Sequence, residues 1–168
     1  MPPVSRRLLH GLPPVIGAGA RVLILGSFPS RRSLDAGEYY ANKRNQFWEV
    51  MGSLTGTDPA LPYNERLACL VSRGIALWDA IGSCRREGSA DSRIESPSGN
   101  PIRDLLASHP GIRLIACNGS ASARLVQGLD LPVTIPVLRL PSTSPAYARL
   151  SLNGKIREWS VIRAYLKN

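Results

Sequence analysis

Histidine is almost missing from this 168-residue chain: only His10 and His109 occur. Two imidazoles are too few for a His-cluster metal centre and leave a Ser-His-Asp triad little to be built from. Cysteine is nearly as scarce. Cys69, Cys84 and Cys117 are too few and too scattered for a disulfide framework, and no CxxC occurs, so Cys-ligated zinc and iron–sulfur sites are not expected. The three thiols suit a reducing cytoplasm and read as small buried hydrophobes. Long apolar runs are absent too. The longest, such as Val22-Leu23-Ile24-Leu25, are strand-sized, against the ~20 residues a bilayer requires. The opening MPPVSRRLLHGLPP has two arginines but no adequate hydrophobic region and no convincing cleavage site, so neither a signal peptide nor a membrane partner is expected.

What is present is ordinary globular composition, 43% hydrophobic and 20% charged, which argues against disorder. A chain of this length buries roughly 70% of its unfolded surface and needs no disulfide or metal staples. Charge is the unusual feature. Lys and Arg number 21 against 12 Asp and Glu, a formal net charge of +9. The excess lies at the two ends: seven basic and three acidic groups in residues 1–50, nine and three in 101–168, with five and six between. Eighteen of the 21 basic residues are arginine, whose planar fork suits phosphate. A generic basic surface would look the same; a phosphate-backbone partner is the functional reading.

Residues 1–19 are rich in Pro and Gly and read as an irregular N-terminal segment, followed by a single domain over 20–168. The run 21–27 (RVLILGS) is a strand buried on both faces. Three more strands are expected at 75–78, 112–117 and 133–140. Helices are expected at 45–54, 62–73, 101–108, 120–127 and 152–166, and polar loops at 28–44 and 82–100. Trp48, Trp78 and Trp159 sit at core-periodic positions. His109 reads as an exposed loop residue. Strands alternating with helices predict an α/β fold: three α/β/α layers around a mostly parallel four-stranded central sheet.

Ligands of such folds sit outside the carboxyl ends of the strands. That selects four loops: GSFPS after Leu25, DAIGS after Trp78, NGS after Cys117 and PSTSP after Leu140. Gly26 and Ser27 give a tight turn with free N–H groups. Phe28, Tyr39 and Tyr40 offer flat faces for a base, with Tyr40 expected in the site and its neighbour in packing. Asp79 offers a carboxylate acceptor; Asn45 and Asn118 offer amides; Ser142, Thr143 and Ser144 offer hydroxyls suited to phosphate. Each has a plainer reading, since Asn45, Asp79 and Asn118 all stand where a helix or turn could be capped. The doublets Arg31-Arg32 and Arg85-Arg86 read as solvated faces, with Arg31 also flanking the first loop.

Five blocks, LILGSFPS (23–30), YYANKRNQFW (39–48), GIALWDAIG (74–82), IACNG (115–119) and LPSTSPA (140–146), resemble in order and spacing the uracil-DNA glycosylase superfamily, most closely its hypoxanthine (deoxyinosine) branch. The resemblance covers 21–166. It implies an α/β/α fold, no cofactor, no metal, and hydrolysis of a base–sugar bond in DNA containing deaminated bases, by a monomer working in the cytoplasm, on the nucleoid if bacterial. It also implies roles. The essential asparagine of that branch falls on Asn45, with Asn42 the competing candidate. Gly26, Ser27, Phe28, Tyr40, Asp79, Asn118 and Ser144 would bind the base. Arg31, Lys43, Ser142, Thr143, Tyr147 and Arg149 would meet DNA, and the 142–150 loop would wedge into the duplex. Mismatch-specific relatives carry an asparagine where Phe28 stands, and uracil-specific members a histidine in the last motif, where Leu140-Pro141-Ser142 has none. Two alternatives stay open: a uracil-selective enzyme, and a non-catalytic reader of damaged DNA on the same fold.

Overall fold

Strand β2 (Val22–Gly26) is buried at every residue and pairs in parallel on both sides, with β3 (Ile75–Asp79) and with β6 (Leu114–Asn118); β7 (Val137–Leu140) closes the sheet in the order β3-β2-β6-β7. The computed structural model describes residues 7–132 and 134–168. Alternation sends the two faces to different helical layers. Val22, Ile24, Leu77, Leu114 and Ala116 pack against Phe47, Val50, Met51 and Leu54 of α2 (Phe47–Thr55), Leu70 of α3 (Tyr63–Ser72) and Trp159 of α6 (Leu152–Trp159). Leu23, Leu25, Ala76, Trp78, Ile115 and Cys117 pack against Ile102 and Leu106 of α4 (Ile102–Ser108) and Ala123 and Val126 of α5 (Ser120–Gln127). The result is a three-layer α/β/α domain with a parallel four-stranded centre, as the sequence pattern predicts.

Register aligns the strand ends. Gly26 pairs with Asp79, and Asn118 with Leu140, so the residues that end all four strands share one edge of the sheet.

Five expectations are corrected. Residues 82–100 are not simply a loop: β4 (Ile81–Arg85) and β5 (Glu95–Gly99) form an antiparallel pair, and β1 (Leu8–His10), inside the segment expected to be irregular, adds a third strand. The loop at 28–44 contains α1 (Arg31–Ala36), started by the Ser30 hydroxyl accepting from Ser33 N–H and stopped by Gly37 at φ +67°. The closing helix ends at Trp159, and Ser160–Tyr165 continue as a 3-10 turn. The last strand begins at Val137, with Val133 outside the described residues.

Candidate active site

At the aligned edge, Gly26 leaves room that any side chain would fill. A Cβ there would lie 2.5 Å from Asp79 Oδ1 and 3.5 Å from the Tyr40 hydroxyl. The carboxyl and the phenol therefore converge over this one bare backbone position.

Tyr40 is held from three directions. Its backbone sits at φ +55°, a left-handed conformation that costs a non-glycine residue on the order of 1 kcal/mol or more and tends to be retained at functional sites. Its ring stacks on Phe47 at 3.8 Å between centroids and 18° between planes. Its hydroxyl accepts from Asn118 Nδ2 at 3.3 Å. Neighbouring Tyr39 is buried in packing, with its hydroxyl donating to Pro13 C=O and its N–H donating to the Tyr63 hydroxyl. The two tyrosines thus point differently, and only Tyr40 reaches the strand ends.

Asn118 spends its amide on bracing. Nδ2 also donates to Thr143 Oγ1 at 3.0 Å, and Oδ1 accepts from Thr143 N–H at 3.0 Å. Thr143 is fully buried, so its hydroxyl joins β6 to the 141–145 turn and is not on the surface a phosphate would reach. Thr143 C=O in turn accepts from Gln46 N–H at 2.9 Å, docking the start of α2 against the same turn. Ser142 and Ser144 remain partly exposed, their oxygens accepting from Ser144 N–H and Ala146 N–H at 3.2 Å each. Neither hydroxyl donates to an acceptor among the described residues, so each keeps a proton for a ligand.

Asn45 lies beside this turn. Its Oδ1 accepts from Phe47 N–H at 2.9 Å, so the capping role is real, and the Nδ2 donors have no protein acceptor among the described residues. Asn42 caps the preceding bend, Oδ1 accepting from Arg44 N–H at 3.0 Å.

Asp79 is only 5% exposed, and its Oδ2 has no hydrogen-bond partner among the described residues. Burial, reinforced by the nearby Asp91 charge and opposed by Arg86, pushes the carboxyl up to about 7. An unpartnered buried carboxyl is costly for a fold and is commonly kept for what it will bind. Asn100 meets only the backbone of this residue, Nδ2 donating to Asp79 C=O at 2.8 Å.

The first loop is occupied from above. The Ser27 hydroxyl donates to Asp91 Oδ1 at 2.7 Å, and Arg31 N–H donates to Ser89 Oγ at 3.0 Å. Phe28 is buried against Ile81 and Cys84, with the Arg86 guanidinium 5.1 Å from its ring centroid; one face of the expected base platform is already covered. The doublet read as solvated is split accordingly. Arg86 is 3% exposed and anchored to the carbonyls of Pro29 and Gly88. Arg31 at the start of α1 and Lys43 and Arg149 on the loops are exposed, and Tyr147 is half-buried. Sequence reading missed Asp91, Arg86 and Lys155 near the site. Asp91 and Arg86 carry no local signal, because Ser27 and Pro29, the partners that bring them here, are distant in sequence; Lys155 is met by Tyr147 across the turn before its helix.

The family model of the uracil DNA glycosylase superfamily matches residues 13–165. The chain belongs to the uracil DNA glycosylase superfamily. As a member it is a DNA glycosylase, an enzyme that hydrolyses the bond joining base to sugar. Among its relatives, the hypoxanthine DNA glycosylase of Methanosarcina acetivorans is 34% identical over 157 residues, 91% of this chain and 96% of the relative. That of Methanosarcina barkeri is 36% identical over 114 residues, 67% of this chain and 72% of the relative. The solution structure of a candidate uracil DNA glycosylase from M. acetivorans superposes with a TM-score of 0.79 at 33% identity, covering 94% of this chain and 97% of that one. No helix among the described residues of the glycosylase is long and apolar enough to cross a membrane.

Proposed function

We propose that this glycosylase removes hypoxanthine from DNA, by a monofunctional hydrolysis that needs no metal or cofactor. The observation that carries the reading is the Asp79 carboxyl, buried and unpartnered at Oδ2 where the strand ends converge, in a chain whose relatives bear the name hypoxanthine DNA glycosylase. The deaminated purine presents an N1–H donor, which an ionised carboxylate accepts. Adenine presents a bare nitrogen there, and a buried acceptor facing an acceptor loses about 1–3 kcal/mol. Release of free hypoxanthine from a defined duplex is the activity to measure.

The roles follow the geometry. Exposed Arg31, Lys43 and Arg149, with Ser142 and Ser144, hold the backbone. The target nucleotide leaves the stack, at a cost of a few kcal/mol that mispairing reduces. Tyr40, backed by Phe47, supplies the stacking face; Phe28 serves as a wall beneath Arg86. Gly26 and Ser27 form the floor, and Asn118 fixes Tyr40 and the 141–145 turn. Asn45 orients a water at the sugar carbon through its unengaged Nδ2, so its work is placement, an amide being a poor proton acceptor. Uracil presents an N–H donor between two carbonyls, but on a smaller ring that a purine-sized pocket would hold farther from Asp79, so it is the second substrate and depends less on that carboxylate. Such an enzyme works as a monomer in the cytoplasm, wherever the DNA lies.

Two results are expected of DNA binding. Log affinity for duplex should fall with log salt at a slope of about −0.9 for each phosphate contact; a flat response in a binding titration would instead indicate recognition of a free nucleoside. The second concerns the 142–150 loop, whose tip carries half-buried Tyr147 and exposed Arg149. If it fills the vacated stack, Tyr147→Ala with Arg149→Ala lowers the ratio of duplex to single-strand excision about tenfold, because only a duplex has a gap to fill. Stability should move by no more than ~0.5 kcal/mol. An unchanged ratio assigns extrusion to another loop.

A further inference from the structure

Lys155, on α6, is 1% exposed over the whole residue, and no carboxylate lies within ion-pair distance of it among the described residues. The other buried cation, Arg86, is held by two carbonyls. Lys155 has no comparable anchor among the described residues. Its ammonium lies 5.5 Å from the ring centroid of Tyr147, and burial alone lowers its proton affinity, with no charged neighbour contributing. A position that served only the packing of α6 would be better filled by an apolar chain of the same length, because burying an unpaired charge opposes folding.

The helix that carries it is fixed against the 141–150 loop. The Ser151 hydroxyl caps its start, accepting from Gly154 N–H at 3.1 Å. One turn beyond Lys155, Trp159 Nε1 donates to Pro141 C=O at 2.8 Å. Residues four apart share a helix face, so Lys155 faces the same loop that Trp159 fastens. That loop displays Ser142 and Ser144, whose oxygens accept backbone N–H groups and whose protons remain free to donate. Two hydroxyl donors on that loop and a charge without a counter-ion on the helix fastened to it are the complement of a phosphate.

We propose that Lys155 is a phosphate-binding residue whose ammonium meets one backbone phosphate of the bound DNA strand at the Ser142–Ser144 turn. This rests on the reading that the protein acts on DNA, and it adds to the exposed arginines a cation that Tyr147 and α6 hold in place before DNA arrives. The cation–π contact partly offsets the missing counter-ion in the free protein.

The test is the salt dependence of binding to an undamaged duplex, followed by fluorescence anisotropy from about 50 to 300 mM salt. Lys155→Met keeps the stem and removes the charge. Its slope of log affinity against log salt should be shallower by about 0.9, one contact's worth, with affinity down about tenfold at the low-salt end; Lys155→Arg should keep the wild-type slope. An unchanged slope in a folded Lys155→Met protein overturns the proposal and leaves the lysine as packing. Should that variant fail to fold, the Lys155 ammonium resonance of the wild-type protein decides. Its chemical shift should move when duplex is bound, and an unmoved resonance overturns the proposal. The two readings fail separately. A wild-type protein that excises no base, yet loses one contact's slope on substitution, keeps the phosphate site and loses the glycosylase substrate.

Discussion

Asn45→Ala is expected to lower single-turnover excision of hypoxanthine by at least ~100-fold while duplex affinity stays within about threefold, since positioning a nucleophile is worth that much or more. The competing account is structural. Asn45 Oδ1 accepts from Phe47 N–H at 2.9 Å, and loss of such a cap costs about 1 kcal/mol of stability. Phe47 supports the Tyr40 ring at 3.8 Å, so a frayed α2 would also loosen the stacking face. Asn45→Ser separates the two. A serine hydroxyl restores the cap and supplies no amide, so it should recover the melting temperature and leave the rate depressed. Recovery of both by serine would make Asn45 a cap only. Asn42→Ala, removing the acceptor for Arg44 N–H, should then carry the large loss; in the present account its rate is near normal.

Asp79→Asn should cut hypoxanthine excision by roughly 10- to 100-fold, the value of about 1–3 kcal/mol for a buried contact, and change the ratio of hypoxanthine to uracil excision. The same substitution should stabilise the protein. The carboxyl titrates near 7 in the folded state against 3.8 for the free side chain. The folded state therefore binds the extra proton between those values, and stability falls as pH rises from about 4 to about 7, levelling above. Roughly three pKa units at 1.36 kcal/mol each set an upper bound of ~4 kcal/mol. Thermal melts of wild type and Asp79→Asn should accordingly diverge between pH 4 and 7, with the variant higher at pH 8 and the pair together near pH 4. Because the ionised form accepts the N1–H, wild-type excision should rise with pH through about 7, and the asparagine variant should lack that step. An equal loss on both bases with no stability gain would make Asp79 a structural turn residue.

Both predictions concern residues legible in the sequence, and the reason is topological. Central strands of a parallel sheet are covered on both faces and read as uninterrupted apolar runs such as VLIL and IALW. Where each run stops, the ligand edge begins, so Gly26, Asp79 and Asn118 could be picked out without side-chain coordinates. What surrounds them could not. β5 reads ESPSG and is exposed throughout; it is a strand because β4 pairs with it, and its sequence has no alternation to announce that. α1 is six residues of mixed polarity held by Ser30 and Gly37. Arg86 looks like half of a solvated doublet until Pro29, 57 positions away, accepts from its guanidinium. Lys155 falls on a helix whose apolar stripe is plain, but its burial depends on Tyr147 and the 141–150 loop. Thr143 was legible as a hydroxyl near phosphate, and only the Asn118 bracket shows it turned inward.

Excision of hypoxanthine is the claim on which the rest depends, and it is tested most directly with a panel of end-labelled oligonucleotides. Each carries a single hypoxanthine, uracil, xanthine or thymine mispair and is incubated with excess protein, then treated with hot alkali to nick any abasic site. The account predicts strand scission at hypoxanthine, a lesser yield at uracil, and loss of the hypoxanthine product in Asn45→Ala. Intact strands across the whole panel, from a protein that still binds the duplex, would contradict it and leave a non-catalytic reader of DNA on a glycosylase fold.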